Sequence, residues 1–192
     1  MLHRGEWLKE WEQHYRKPLR QLKERGLTDS LGVSLYSIKE FEEALNIPEI
    51  STIQMPYNLL DQRARVNGCF EKAKKAGKLL FLRSINLQGV LTLSSRDIPP
   101  QLGYGLPHFK KCEDLALRLA INKGELAFRF ALENSPDAVL VFGVESLSQL
   151  LENVRMAQKD HLISTKYTDD FFQLEKDVPE RLINPSLWEG RS

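Results

Sequence analysis

The chain has 192 residues, with 27 Lys and Arg against 26 Asp and Glu and a formal net charge of +1. That length fits one domain, or a large piece of a bigger one, and can bury a substantial core. So even a balance gives no field for a nucleic acid or an anionic membrane, and no apolar run approaches the roughly 20 residues that a membrane helix needs.

The amino terminus, MLHRGEWLKEWEQ, is charged and has no apolar h-region, so a secretory signal is not expected. Cys69 and Cys112 stand far apart without metal-ligand spacing, and His3, His14, His108 and His161 are scattered. Free thiols in a reducing cytoplasm and no metal site are the expectation.

Trp7 to Arg25 spaces Trp7, Leu8, Trp11, Tyr15, Leu19 and Leu22 by threes and fours, which predicts one helix face packed on neighbouring structure. Pro18 should kink or split that helix, and Gly26 should stop it. Leu31 to Leu35 reads as a short strand. Ser37 and Glu40 form a capping-box pair for a helix running to about Asn46. Ile50 to Met55 is a second strand, ended by Pro56. Gln54 is an amide in an apolar setting, which needs either a structural partner or a ligand. Arg63 to Ala76 reads as a helix with Val66, Phe70 and Ala73 on one side and Gly77 as its stop.

Lys78 to Thr92, KLLFLRSINLQGVLT, opens as an apolar run and turns polar at Arg83. Such a run predicts a buried strand over Leu79 to Arg83. Polar groups past the carboxyl end of a parallel strand are where α/β proteins place their chemistry, so Arg83 to Gly89 is the first candidate for a ligand site. Thr92 to Phe109 carries three Pro and two Gly and reads as a long loop. Helices follow over Lys110 to Asn122 and Glu125 to Glu133. Ala138 to Phe142 is a fourth strand, with a turn at Gly143 to Ser146 leading into a helix from about Leu147 to Gln158. A helix start of this kind attracts phosphate, and Ser146 serves equally as a plain cap. Ile163 to Ser192 should hold one helix, around Asp169 to Glu175.

Strand then helix, four times over, argues for parallel strands joined by right-handed crossovers. Ser34, Gln54, Arg83 with Ser84, and Gly143 onward gather at one end of those strands and propose a single site. Four such units leave open strand edges at Leu31–Leu35 and Ala138–Phe142.

Four segments in order, GVSLYS (32–37), IQMPYNLLDQR (53–63), RSINLQGVL (83–91) and VFGVESLSQLLENV (141–154), resemble the C-terminal half of the aldo/keto reductase family. The resemblance implies an α/β fold whose parallel (β/α) units form the C-terminal half of a TIM (β/α)8 barrel. A partial reductase domain would span 1–160, and a C-terminal extension over 161–192 would pack on it. It implies a nicotinamide cofactor, NADP or NAD, bound in extended form, and hydride transfer to a small carbonyl substrate. Of the family's Asp, Tyr, Lys and His tetrad, His3 matches the His, and the other three have no counterpart in these residues. Ser34 and Gln54 match the positions that hold the nicotinamide carboxamide. Arg83 falls where many members stack an aromatic residue on the nicotinamide ring. Ser84, Asn86 and Gln88 match the loop that contacts the pyrophosphate. Gly143, Val144, Gln149, Glu152 and Asn153 match the adenosine end. The turn at Gly143 to Ser146 has no cation, which weakens an NADP preference.

The expectation is therefore a partial reductase chain that is inactive alone, for want of the tyrosine that donates the proton. The alternative is a non-catalytic dinucleotide-binding or half-barrel module that pairs with a second copy or with a complementary N-terminal half.

Overall fold

The structure is a computed structural model that describes residues 1–158 and 164–188. The expectations for 159–163 and 189–192 lie outside the described residues. The chain divides into two compact units. One comprises residues 1–56, 63–83 and 136–139; the other comprises 57–62, 84–135 and the described residues from 140 onward.

The first unit is built on a sheet. Its strands are β1 (Leu31–Ser34), β2 (Ile50–Pro56), β3 (Leu79–Arg83) and β4 (Ala138–Leu140), in spatial order β1-β2-β3-β4. β1 pairs with β2, and β2 with β3, in parallel register. The apolar runs of β1, β2 and β3 supply the core through Val33, Leu35, Ile50, Ile53, Met55, Leu80 and Leu82, whereas the run at β4 is not buried, with Val139, Val141 and Phe142 exposed. Gly32 permits the close approach of β1 to β2, since a Cβ there would stand 2.9 Å from the Thr52 carbonyl oxygen.

The edge at β1 is not bare over its length. Leu2 bridges to it in parallel, with its N–H donating to the Gly32 carbonyl and its own carbonyl accepting from Ser34 N–H, each at 2.7 Å. The segment Met1–His3 thus lies beside β1 as a further strand would, because those two backbone groups find no other ladder partner on that side.

The amino-terminal segment, expected as a helix over Trp7 to Arg25 kinked or split at Pro18, changes helical type before that proline. Gly5–Glu10 is a 3₁₀ helix and Trp11–Tyr15 a wider π turn; only then does α1 (Arg16–Glu24) begin. Pro18 is the third residue of α1, which follows the π turn without a break, so the change of helical type falls just ahead of the proline. Leu8 and Trp11 are buried, while Leu22 is exposed, so the apolar stripe packs only at its start.

α2 (Ile38–Leu45) begins as the sequence reads. Ser37 Oγ accepts from Glu40 N–H at 3.2 Å, and Glu40 Oε2 accepts from Ser37 N–H at 2.9 Å. The helix expected over 63–76 is two helices, α3 (Arg63–Val66) and α4 (Cys69–Lys75). Gly68, at φ +64°, turns left-handed between them and leaves Val66 exposed, off the buried side of Phe70 and Ala73. Lys78, largely buried before β3, donates to the Ile47 and Ile50 carbonyls at 2.8 and 2.5 Å. Burial pushes its pKa down.

The second unit is mainly helical. The stretch expected as a loop to Phe109 holds 3₁₀ turns at Val90–Thr92 and Pro100–Gly105, and α5 (Leu106–Arg118) starts four residues earlier than expected. Pro107 suits that first turn because a first-turn N–H is unpaired in any helix. α6 (Lys123–Glu133) is capped by Asn122, whose Oδ1 accepts from Glu125 N–H at 2.7 Å. It buries Leu126, Ala127, Phe130 and Ala131. The Phe130 ring lies 5.3 Å from Tyr57 and 5.5 Å from Phe171, whose own helix is α8 (Ser164–Gln173). Between α6 and α8 comes α7 (Leu147–Ala157), and α9 (Glu180–Ile183) is followed by a 3₁₀ turn at Pro185–Leu187. Among the described residues no helix is long and apolar enough to cross a membrane.

Candidate cofactor site

In the first unit the parallel register places Ser34 directly beside Gln54, at the carboxyl ends of β1 and β2. Ser34 Oγ donates to Gln54 Oε1 at 3.0 Å, and Leu35 N–H donates to the Gln54 carbonyl at 2.8 Å. A hydroxyl beside a primary amide offers donors and acceptors together, which suits a planar group that has one of each. A carboxamide is such a group.

Arg83 ends β3 and reaches back across β2 to the end of β1. Its Nη2 donates to the Leu35 carbonyl at 3.1 Å and its Nε to Ser34 Oγ at 3.4 Å. Its guanidinium carbon stands 4.1 Å from the centroid of the Tyr36 ring. Ser34, Gln54 and Arg83 are thus brought together by adjacent strand ends, with Tyr36 added to them. His3 is exposed, one residue past the Leu2 bridge.

In the second unit the loop after β3 is unusual in its backbone. Ser84, Leu87, Gln88 and Gly89 have φ of 60°, 45°, 57° and 86°. Three of these are not glycine, a conformation that costs energy for residues with a Cβ and that clusters at ligand sites. Alternation between right- and left-handed residues also shapes the backbone concavities that receive anions. Ile85 and Leu87 anchor the loop in the core, while Gln88 is exposed. Asn86 Oδ1 is buried without a hydrogen-bond partner among the described residues. Such an orphan is a place for a ligand donor.

Asn58 holds this loop; the sequence reading names it only within the segment IQMPYNLLDQR (53–63). Fully buried, its Nδ2 donates to the Ser84 carbonyl at 3.1 Å, while its Oδ1 accepts from Leu60 and Asp61 N–H, each at 3.0 Å. Asn in a turn between a strand and a helix was the available signal, since its side chain readily bonds backbone two residues on.

Gly143 and Val144 are exposed after β4. Ser146 caps α7, with Oγ accepting from Gln149 N–H at 3.3 Å, and Gln149 Oε1 accepts from Glu145 N–H at 2.7 Å. Glu152 and Asn153 follow on α7, Glu152 exposed and Asn153 half-buried. Among the described residues no group of three His, Cys, Asp or Glu could hold a metal ion.

The aldo/keto reductase family model matches residues 8–170. The chain belongs to the aldo/keto reductase family. Solved members of this fold give the same architecture. The aldo-keto reductase AKR11C1 from Bacillus halodurans, in its holo form, is 22% identical with a TM-score of 0.75, over 95% of this chain and 60% of its own. The glycerol dehydrogenase AKR11B4 from Gluconobacter oxydans is 21% identical with a TM-score of 0.61, over 86% of this chain and 55% of its own. The chain therefore spans about 60% of the length of the solved reductase it matches over 95% of its residues. No curated protein matched it. The parallel strands and their helices are the C-terminal (β/α) units of the aldo/keto reductase barrel, followed by extra helices.

Proposed function

We propose that this aldo/keto reductase chain binds a nicotinamide dinucleotide, NAD or NADP, and serves carbonyl reduction only when the residues that donate the proton are supplied to it. The observation that carries the reading is the Ser34–Gln54 pair, side by side in register and hydrogen-bonded at 3.0 Å. In this reading the two side chains exchange their mutual bond for bonds to the nicotinamide carboxamide. Ser84, Asn86 and Gln88 serve the pyrophosphate, and Gly143, Val144, Gln149, Glu152 and Asn153 the adenosine end. Supporting this, the left-handed residues at Ser84, Leu87, Gln88 and Gly89 turn the loop backbone into the kind of concavity that receives an anion. When bound, the dinucleotide supplies hydride to a carbonyl carbon. His3 orients the carbonyl oxygen. Positioned acid–base assistance is worth about 10²–10⁴-fold, so without Asp, Tyr and Lys partners the 192 residues alone turn over negligibly.

Titration with NADH and NADPH, read by quenching of Trp7, Trp11 and Trp188, tests the binding. S34A and Q54L should each weaken it about tenfold or more, and a generic aldehyde should not be reduced. Absence of binding at millimolar dinucleotide would reject the reading.

A second reading, a half-barrel interaction module, is favoured by one observation in the second unit. Val141, Phe142, Leu147, Leu150, Leu151 and Val154 are all exposed, Leu147 at 71%. An apolar run of this extent marks an interaction surface. The occupant in this reading is a second copy of the chain. Light scattering that shows a stable monomer at micromolar concentration would remove it.

A further inference from the structure

The position of Arg83 bears on which redox form of the cofactor the site prefers. Its Nε lies 3.4 Å from Ser34 Oγ, the hydroxyl assigned above to the carboxamide. The carboxamide is bonded directly to the nicotinamide ring. A ring whose amide rests on Ser34 and Gln54 therefore lies within a few bond lengths of the guanidinium. Arg83 is held there: the Leu35 carbonyl accepts from its Nη2 at 3.1 Å, and the Tyr36 ring lies against it at 4.1 Å.

The two redox forms of the ring differ in charge. The oxidised ring is a cation, and two like charges a few ångströms apart in partly desolvated surroundings repel strongly. The reduced ring is neutral, and the face of a neutral π system attracts a guanidinium. An aromatic residue in place of Arg83 would carry no such charge.

We propose that Arg83 makes this site select the reduced, neutral nicotinamide ring over the oxidised, cationic one. This inference rests on the dinucleotide reading given above. The cofactor's tail is the same in both redox forms, so the preference arises from the ring alone. Each tenfold in the ratio of the two affinities raises the potential of the bound couple by about 30 mV. The site thereby holds its reductant firmly and gives up some driving force for reducing a carbonyl.

The test is equilibrium binding to the full chain, with NADH, NAD+ and ADP-ribose as probes, for the unmodified protein and for R83Q, R83F and R83K. The unmodified protein should bind NADH at least about tenfold tighter than NAD+. R83Q and R83F should bring that ratio down by about tenfold, R83K should retain most of it, and all three should keep the ADP-ribose affinity, because ADP-ribose has no ring. A ratio unchanged in R83Q and R83F overturns the inference and leaves the dinucleotide reading standing. Loss of ADP-ribose binding along with the ratio in both variants assigns Arg83 a purely structural role and likewise overturns it. If the unmodified protein binds none of the three probes, the dinucleotide reading falls and this inference with it.

Discussion

Replacing Asn58 by Ala removes the side chain that ties the post-β3 loop to the turn after β2. Asn58 is fully buried and makes three hydrogen bonds, to the Ser84 carbonyl at 3.1 Å and from the N–H groups of Leu60 and Asp61 at 3.0 Å each. A net contribution of about 1 kcal/mol per bond, with about 1–3 kcal/mol for a buried donor left bare, sums to about 4–6 kcal/mol. That is a large share of the roughly 5–15 kcal/mol that separates folded from unfolded in most domains. Urea unfolding followed by tryptophan fluorescence should show the midpoint falling accordingly, with the slope unchanged. Hydrogen exchange should localise the effect, with the Leu60 amide losing protection first, since the Asp61 amide keeps the Asn58 carbonyl as an acceptor at 3.2 Å. The left-handed residues at Ser84, Leu87 and Gln88 persist only while their surroundings hold them, so dinucleotide binding should weaken as well. An N58A protein within about 1 kcal/mol of the parent, with the Leu60 amide still protected, would refute the view that this side chain braces the loop.

Gly32→Ala places a Cβ 2.9 Å from the Thr52 carbonyl oxygen and 3.1 Å from Thr52 Cβ. A backbone oxygen cannot rotate aside, so the β1–β2 pairing must give, at about 1–3 kcal/mol in urea unfolding; full stability would show that the strands have slack. Burial pushes the thiols of Cys69 and Cys112 from 9.0 up to about 12. Their folded pKa lies above the unfolded one, so their contribution is complete below pH 9 and is lost as pH rises toward 12. At pH 10.5 each thiol should have given up about 2 kcal/mol relative to pH 8. In C112A the fall between those pH values should be smaller than in the parent by about 2 kcal/mol, and an equal fall in both proteins would place the cause elsewhere.

How much of the site could be read in advance depended on the range of the interaction. Ser37 and Glu40 were legible as a capping box because both partners lie within one helical turn. Ser34 and Gln54 were named one by one, yet only the parallel register shows that they touch. The Arg83–Tyr36 stack was not legible, because it joins residues on different strand ends, and nothing local to either predicts the other. Asn58 was passed over because its partner at Ser84 comes from the far side of a helix pair and a strand. The break at Gly68 was hidden by helix-forming neighbours on both sides, although a glycine inside a helical run is itself a weak warning.

By itself the sequence determined the order of strands and helices, the buried faces of β1 to β3, and the family, because apolar periodicity, caps and motif order are written in near neighbours. The tertiary structure alone decided which polar groups meet at the strand ends, what holds the loop after β3 in its left-handed course, and where the amino-terminal helix begins. Those outcomes are set by contacts between residues far apart in the chain, and their energies exist only once the sheet has fixed the distances.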